Sequence, residues 1–147
     1  TMTIRHVFVY GSLRPDDDSG QAWTKEAVRG LKAQKAKLSK ARLYQDQYAC
    51  AVLDSARGSN HYIFGYVLST NDEQLFKEKL ELFDQIEGYR GPNSPLNLYD
   101  RSVMDVELVP PNEQNLTSSV KAYVYHGTNR CNRQNLIPSG DWLQRDR

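Results

Sequence analysis

Glu87 is the residue of this chain whose placement most invites chemistry. It follows Leu80 and Phe83 at helical spacing, so it carries the apolar stripe of a helix inward. It also stands at that helix's C-terminal end, where the negative pole of the helix dipole disfavours a second negative charge. Burial and dipole both push a carboxyl pKa upward, and such a group can take and return a proton near neutral pH. The same spacing also suits a partly exposed glutamate in a frayed last turn, because structural ion pairs perturb carboxylates too.

Tyr10-Gly11-Ser12-Leu13 is the second candidate. A strand that ends in Gly-Ser can aim successive backbone N–H groups at one point and so form an anion-binding nest, although from these four residues alone an ordinary turn is the better reading. Ser12 lacks the G-x-S-x-G setting of a nucleophilic serine. His6, His61 and His126 are scattered, with no H-x₃-H spacing, so no metal site is expected. No Gly-rich phosphate loop occurs, and no cofactor is expected.

The elements that must position these groups are mostly strands. Val7 to Tyr10 is a short apolar, β-rich run stopped by Gly11, and reads as a fully buried strand. Ala22 to Val28 suits a short helix. Ala36 to Tyr44 alternates with a phase slip at Ser39-Lys40, which predicts one strand with a bulge. Ala51 to Leu53 and Tyr62 to Leu68 are further strands, with Gly65 marking a close backbone approach. The spacing of Leu75, Phe76, Leu80, Leu82, Phe83 and Ile86 predicts a helix from Asp72 to Glu87, capped by Thr70 or Asn71 and stopped at Gly88. Gly88 to Leu98 is a loop, Ser102 to Val109 and Val120 to Tyr125 are strands, and Ile137 to Trp142 is irregular. About six strands and one or two helices in no βαβ rhythm give an α+β domain with a mixed or antiparallel sheet that could curl into a barrel.

At 147 residues, residues 1–147 read as one domain large enough to bury a core. A charged fraction of 25% argues against disorder, and a net charge of +1 makes no electrostatic case for nucleic acid or an anionic membrane. The basic residues between Lys25 and Arg42 read as the solvated face of a strand, with an RNA surface the remote alternative. The longest apolar stretch, Phe64 to Leu68, falls far short of the ~20 residues a span needs. No apolar leader opens the chain, so Cys50 and Cys131 are expected as reduced thiols of a cytoplasmic protein. The Asn115-Leu116-Thr117 sequon then has no role.

Five stretches, in order, resemble the γ-glutamylcyclotransferase-like superfamily in its AIG2-like, γ-glutamylamine cyclotransferase branch. They are Phe8 to Leu13, Leu82 to Tyr89, Leu98 to Arg101 leading into Val103 to Val106, Ala122 to Tyr125, and Ile137 to Trp142. The resemblance implies a small mixed β-barrel flanked by helices, with a cavity where the first-strand turn faces a glutamate at a helix end. It places the family's catalytic glutamate on Glu87 and its substrate-anchoring turn on Tyr10, Gly11, Ser12 and Leu13. Tyr99 and Tyr125 match cavity-lining tyrosines, and Arg101 a structural or lining position. Leu13 stands where the branch acting on γ-glutamyl amino acids tends to have asparagine, which favours the AIG2-like side.

The activity so implied is cyclisation of a small γ-glutamyl amide to 5-oxoproline with release of an amine. Two other uses of the pocket remain open at this level. One is a non-enzymatic module that binds a small carboxylate. The other is an unrelated acyl transfer or hydrolysis, since one fold hosts many functions.

Overall fold

The computed structural model describes residues 3–19, 21–53, 60–110 and 118–146. In chain order the elements are β1 (His6–Val9), α1 (Ala22–Ala27), β2 (Lys32–Ser39), β3 (Ala41–Gln45), β4 (Ala49–Leu53), β5 (Tyr62–Ser69), α2 (Glu73–Glu87), β6 (Tyr99–Leu108) and β7 (Ser118–Gly127), followed by a 3₁₀ turn at Trp142–Gln144. Five strands close a barrel in the order β1-β5-β2-β6-β7, while β3 and β4 form a separate two-stranded sheet. The barrel is mixed: β1 runs parallel to β7, with Val7 opposite Tyr123 and Phe8 opposite Val124, and the other pairs are antiparallel. The fold is α+β, as expected.

β1 is apolar without alternation because both its faces are covered. Phe8 and Tyr10 enter the barrel interior with Ala36, Leu38, Ile63 and Val124. Val7 and Val9 face outward onto Phe76 and Phe83 of α2. Gly65 is the close approach its position suggested: a Cβ there would lie 2.1 Å from the Val9 carbonyl oxygen.

Two local expectations are corrected. Ala36 to Tyr44 is not one bulged strand. Lys40 adopts φ 58°, an uncommon conformation for a residue with a Cβ, and there the chain leaves the barrel for the β3–β4 hairpin. The phase slip is therefore a change of sheet, which gives seven strands among the described residues. The cap of α2 is Asp72, whose carboxylate accepts from Leu75 N–H at 3.0 Å. Thr70 Oγ1 accepts from Asp72 N–H instead, so it holds the residue that caps the helix. Gly88 ends α2 in the left-handed region at φ 67°, its N–H reaching the Asp84 and Gln85 carbonyls.

Cys50 and Cys131 are not free thiols. They form a disulfide, Cα–Cα 6.5 Å, that ties β4 to the turn following β7. The fold brings the pair together because β4 packs across the end of β7, where Gly127 lies against both cysteines. The Asn115 sequon lies outside the described residues. No helix among the described residues is long and apolar enough to cross a membrane.

Protein denatured without reductant should therefore show no thiol to a thiol-specific chromophore, and two after reduction. A link across 81 residues of sequence should contribute about 2–4 kcal/mol, read as lower urea resistance of the Cys50→Ser/Cys131→Ser double variant. Two thiols in unreduced, air-exposed protein would contradict the bridge.

Candidate active site

The turn after β1 is built to leave backbone N–H groups open. Arg14 N–H bonds to the Gly11 carbonyl at 3.1 Å and closes the turn, and the N–H groups of Ser12 and Leu13 have no partner among the described residues. Position 11 must be small, because a Cβ there would meet the Ala49 Cβ at 2.8 Å. Arg14 is buried and holds the turn from below. Its guanidinium donates to both oxygens of Asp16 at 2.8 Å and to Asp141 at 2.7 Å. Asp141 in turn caps the 3₁₀ turn at Leu143 N–H, so the first and last segments of the chain share one charged knot.

Glu87 lies in the last turn of α2, one turn beyond the fully buried Phe83. Its carboxyl has no hydrogen-bond or ion-pair partner among the described residues. Desolvation by the surrounding protein raises its pKa from 4.5 to about 7. Burial is the cause seen here. Burial also raises the hydroxyl pKa of Tyr10, Tyr99 and Tyr125, and the Glu87 charge adds to it in all three, as expected of a carboxyl set among them.

Those three hydroxyls are already engaged. Tyr10 donates to the Tyr125 carbonyl at 2.6 Å and accepts from Ala51 N–H at 3.3 Å. Tyr99 donates to the Ala49 carbonyl at 2.7 Å. Tyr125 donates to Asp84 Oδ1 at 2.5 Å. Asp84 also takes the Arg101 guanidinium, at 2.8 and 2.6 Å, and that guanidinium lies 4.7 Å from the ring centroids of both Tyr89 and Tyr123. Arg101 thus fastens α2 to the barrel and does not line the cavity. The tyrosines act as walls whose polar ends hold backbone and helix in place.

A cavity of about 340 Å³ collects these groups. Glu87, Tyr10, Gly11, Ser12, Leu13, Tyr99 and Tyr125 all line it. Sequence reasoning missed Trp23, Tyr48, Ile86 and Leu98, which line it too. Trp23 and Tyr48 sit in short segments without periodicity; the available signal was a large aromatic residue in otherwise polar surroundings. A wider groove of about 710 Å³, running along residues 132–138 and 144–146, contains none of the seven. Among the described residues no three His, Cys, Asp or Glu side chains gather as metal ligands would. Chemically, the cavity offers one unpaired carboxyl that can hold or lose a proton near neutrality, and open N–H groups for an anion.

A family model described as gamma-glutamyl cyclotransferase, AIG2-like, matches residues 7–144. The chain belongs to this family. No curated protein matches it. Solved structures share the family fold at low identity. An uncharacterized protein from Pyrococcus horikoshii is 18% identical with a TM-score of 0.58, the match covering 95% of this chain and 90% of the other. An Arabidopsis thaliana protein is 24% identical with a TM-score of 0.55, covering 97% and 71%. An AIG2-like protein from Mus musculus is 17% identical with a TM-score of 0.54, covering 95% and 88%. At such identities the likeness establishes the barrel architecture of the AIG2-like family.

The raised Glu87 pKa has a stability consequence of definite sign. Between the ordinary value of 4.5 and about 7 the folded state holds a proton that the unfolded chain has lost. Wild-type stability should fall as pH rises through that window and level off above it. Glu87→Gln lacks this dependence, so its advantage over wild type should grow by roughly 2–3 kcal/mol from pH 4.5 to pH 8, read from urea denaturation at each pH. A constant difference would mean the carboxyl ionises in the folded protein as it does in water.

Proposed function

We propose that this AIG2-like protein cyclises a γ-glutamyl amide to 5-oxoproline and releases the amine. The observation that carries the reading is the unpaired Glu87 carboxyl, raised to about 7, lining the same cavity as the open N–H groups of Ser12 and Leu13.

A γ-glutamyl amide brings its own nucleophile. The substrate's α-ammonium meets the Glu87 carboxylate, the only carboxylate lining the cavity among the described residues. The α-carboxylate meets no cation among the described lining residues and turns to the Ser12 and Leu13 N–H groups and the Ser12 hydroxyl. Glu87 takes a proton from the α-ammonium, the free amine attacks the γ-carbonyl carbon, and a C–N bond closes the five-membered ring. The tetrahedral oxyanion then collapses and the original amide C–N bond breaks as Glu87 returns its proton to the leaving nitrogen; the ring nitrogen sheds its surplus proton through Glu87 to the released amine, which departs as the ammonium. Atoms balance without water, and one carboxyl serves as base and then acid. Holding the substrate folded supplies much of the rate, since oriented intramolecular reactions are worth ~7–11 kcal/mol. The cavity walls raise the Glu87 pKa to about 7, so the carboxyl can both take and return a proton near neutrality.

Glu87→Gln should lower 5-oxoproline release from γ-glutamyl amides by at least 10²-fold, because Gln keeps shape and polarity but cannot exchange the proton. In wild type, kcat/KM should rise with pH and level off above about 7, as Glu87 must be ionised to act as base. Undiminished turnover in a folded Glu87→Gln variant would move the proton transfer to another group.

A further inference from the structure

The cavity's inner end and its opening differ in chemistry. Leu13, Tyr10 and Tyr125 at the inner end are buried, whereas Trp23, Tyr48 and Leu98 are 46%, 60% and 54% exposed while still lining the same space. A large apolar side chain that is both half-exposed and part of a cavity wall marks its mouth. Isolated apolar residues on a surface mean little; three from separate segments around one opening mark a ligand contact.

Each of the three is held there by its own segment. Trp23 rides on α1, which is pinned where the buried Thr24 hydroxyl meets Asp17 at 3.0 Å and the Gln21 carbonyl at 2.7 Å. Tyr48 sits in the tight β3–β4 turn, closed by Asp46 N–H to the Tyr48 carbonyl at 3.1 Å. Leu98 packs against Gly88, where a Cβ would lie 2.9 Å from its side chain, and its N–H bonds to the Gly88 carbonyl at 3.0 Å. The aromatic and aliphatic faces are therefore presented by fixed backbone, which lowers the ordering cost of binding.

Charge at the opening is absent among the lining residues. Among the described residues Glu87 is the one carboxylate in the lining and no lysine or arginine lines it, and Glu87 is used on the glutamyl side. Asp46, near Tyr99, lines the wide groove and accepts from Asn132 N–H at 3.0 Å. Among the described lining residues, an amine carrying its own carboxylate meets no cation, and one carrying a second ammonium meets no carboxylate beyond Glu87. The volume of about 340 Å³ is at the small end of ligand cavities, enough for a glutamyl group and a compact substituent.

We propose that the mouth formed by Trp23, Tyr48 and Leu98 selects γ-glutamyl amides whose amine is uncharged beyond the amide and apolar, with an arylalkylamine fitting best. The inference rests on the cyclotransferase reading and adds the class of leaving group.

The test uses four amides: γ-glutamyl-phenethylamide, γ-glutamyl-butylamide, γ-glutamyl-cadaverine and γ-glutamylglycine. Release of 5-oxoproline by the wild-type protein should favour the phenethylamide over the two charged amides by about tenfold or more in kcat/KM. Affinities for Glu87→Gln, measured by calorimetry, should follow the same order. Trp23→Ala should raise KM for the phenethylamide about tenfold with little change in kcat, and Trp23→Phe should restore most of it. Equal affinities across the panel, or a preference for the cadaverine or glycine amide, would overturn the inference. If no amide yields 5-oxoproline while the affinity order persists, the cyclisation chemistry fails and the selectivity of the mouth stands.

Discussion

The structure turns on the fastening of α2 at Asp84. One carboxylate takes the Arg101 guanidinium from β6 and the Tyr125 hydroxyl from β7, and so fixes the end of the helix against two adjacent barrel strands. Charge-assisted bonds of this kind are shorter and stronger than neutral ones, and the Tyr89 and Tyr123 rings beside Arg101 add cation–π attraction. Phe76 and Phe83 supply the apolar part of the contact. With α2 held at this point, the next turn has little freedom, and that turn carries Glu87.

The two carboxyls on this helix face show how environment divides labour. Asp84 is paired on both oxygens, whereas Glu87, three residues on, has apolar walls and no partner among the described residues. Glu87 can change protonation near neutral pH. The tyrosines make the contrast possible. Tyr10, Tyr99 and Tyr125 each direct the hydroxyl away from Glu87, toward the Tyr125 carbonyl, the Ala49 carbonyl and Asp84. A hydroxyl donating to Glu87 would stabilise its charged form and pull its pKa back down.

Much of this was legible in the residues themselves, where the signal is local. The unbroken apolar run of β1, the stripe of α2 with its stop at Gly88, and the close approach at Gly65 all follow from residue type and period. The inward direction of Glu87 follows from the same stripe. Other features depend on contacts between distant segments and leave no local mark. The Asp84–Arg101–Tyr125 knot joins three elements, and the Cys50–Cys131 bridge joins residues 81 apart. Lys40 is an intermediate case: the phase slip was visible, but a bulge and a departure to another sheet produce the same slip. Trp23 and Tyr48 gave no pattern because one sits in a six-residue helix too short to show a period and the other in the β3–β4 turn, where no period applies.

The central claim is that the Glu87 carboxyl exchanges its proton near neutrality because the fold sets it, part-buried and unpaired, in the wall of a desolvating cavity. The most direct measurement is a pH titration of the Glu87 side-chain carboxyl carbon by ¹³C NMR in glutamate-labelled protein, assigned by the signal missing from Glu87→Gln. The account predicts a midpoint of about 7. A midpoint at the ordinary value of 4.5 would contradict it, and would mean that water or an unrecognised partner solvates the carboxyl as it would a surface glutamate.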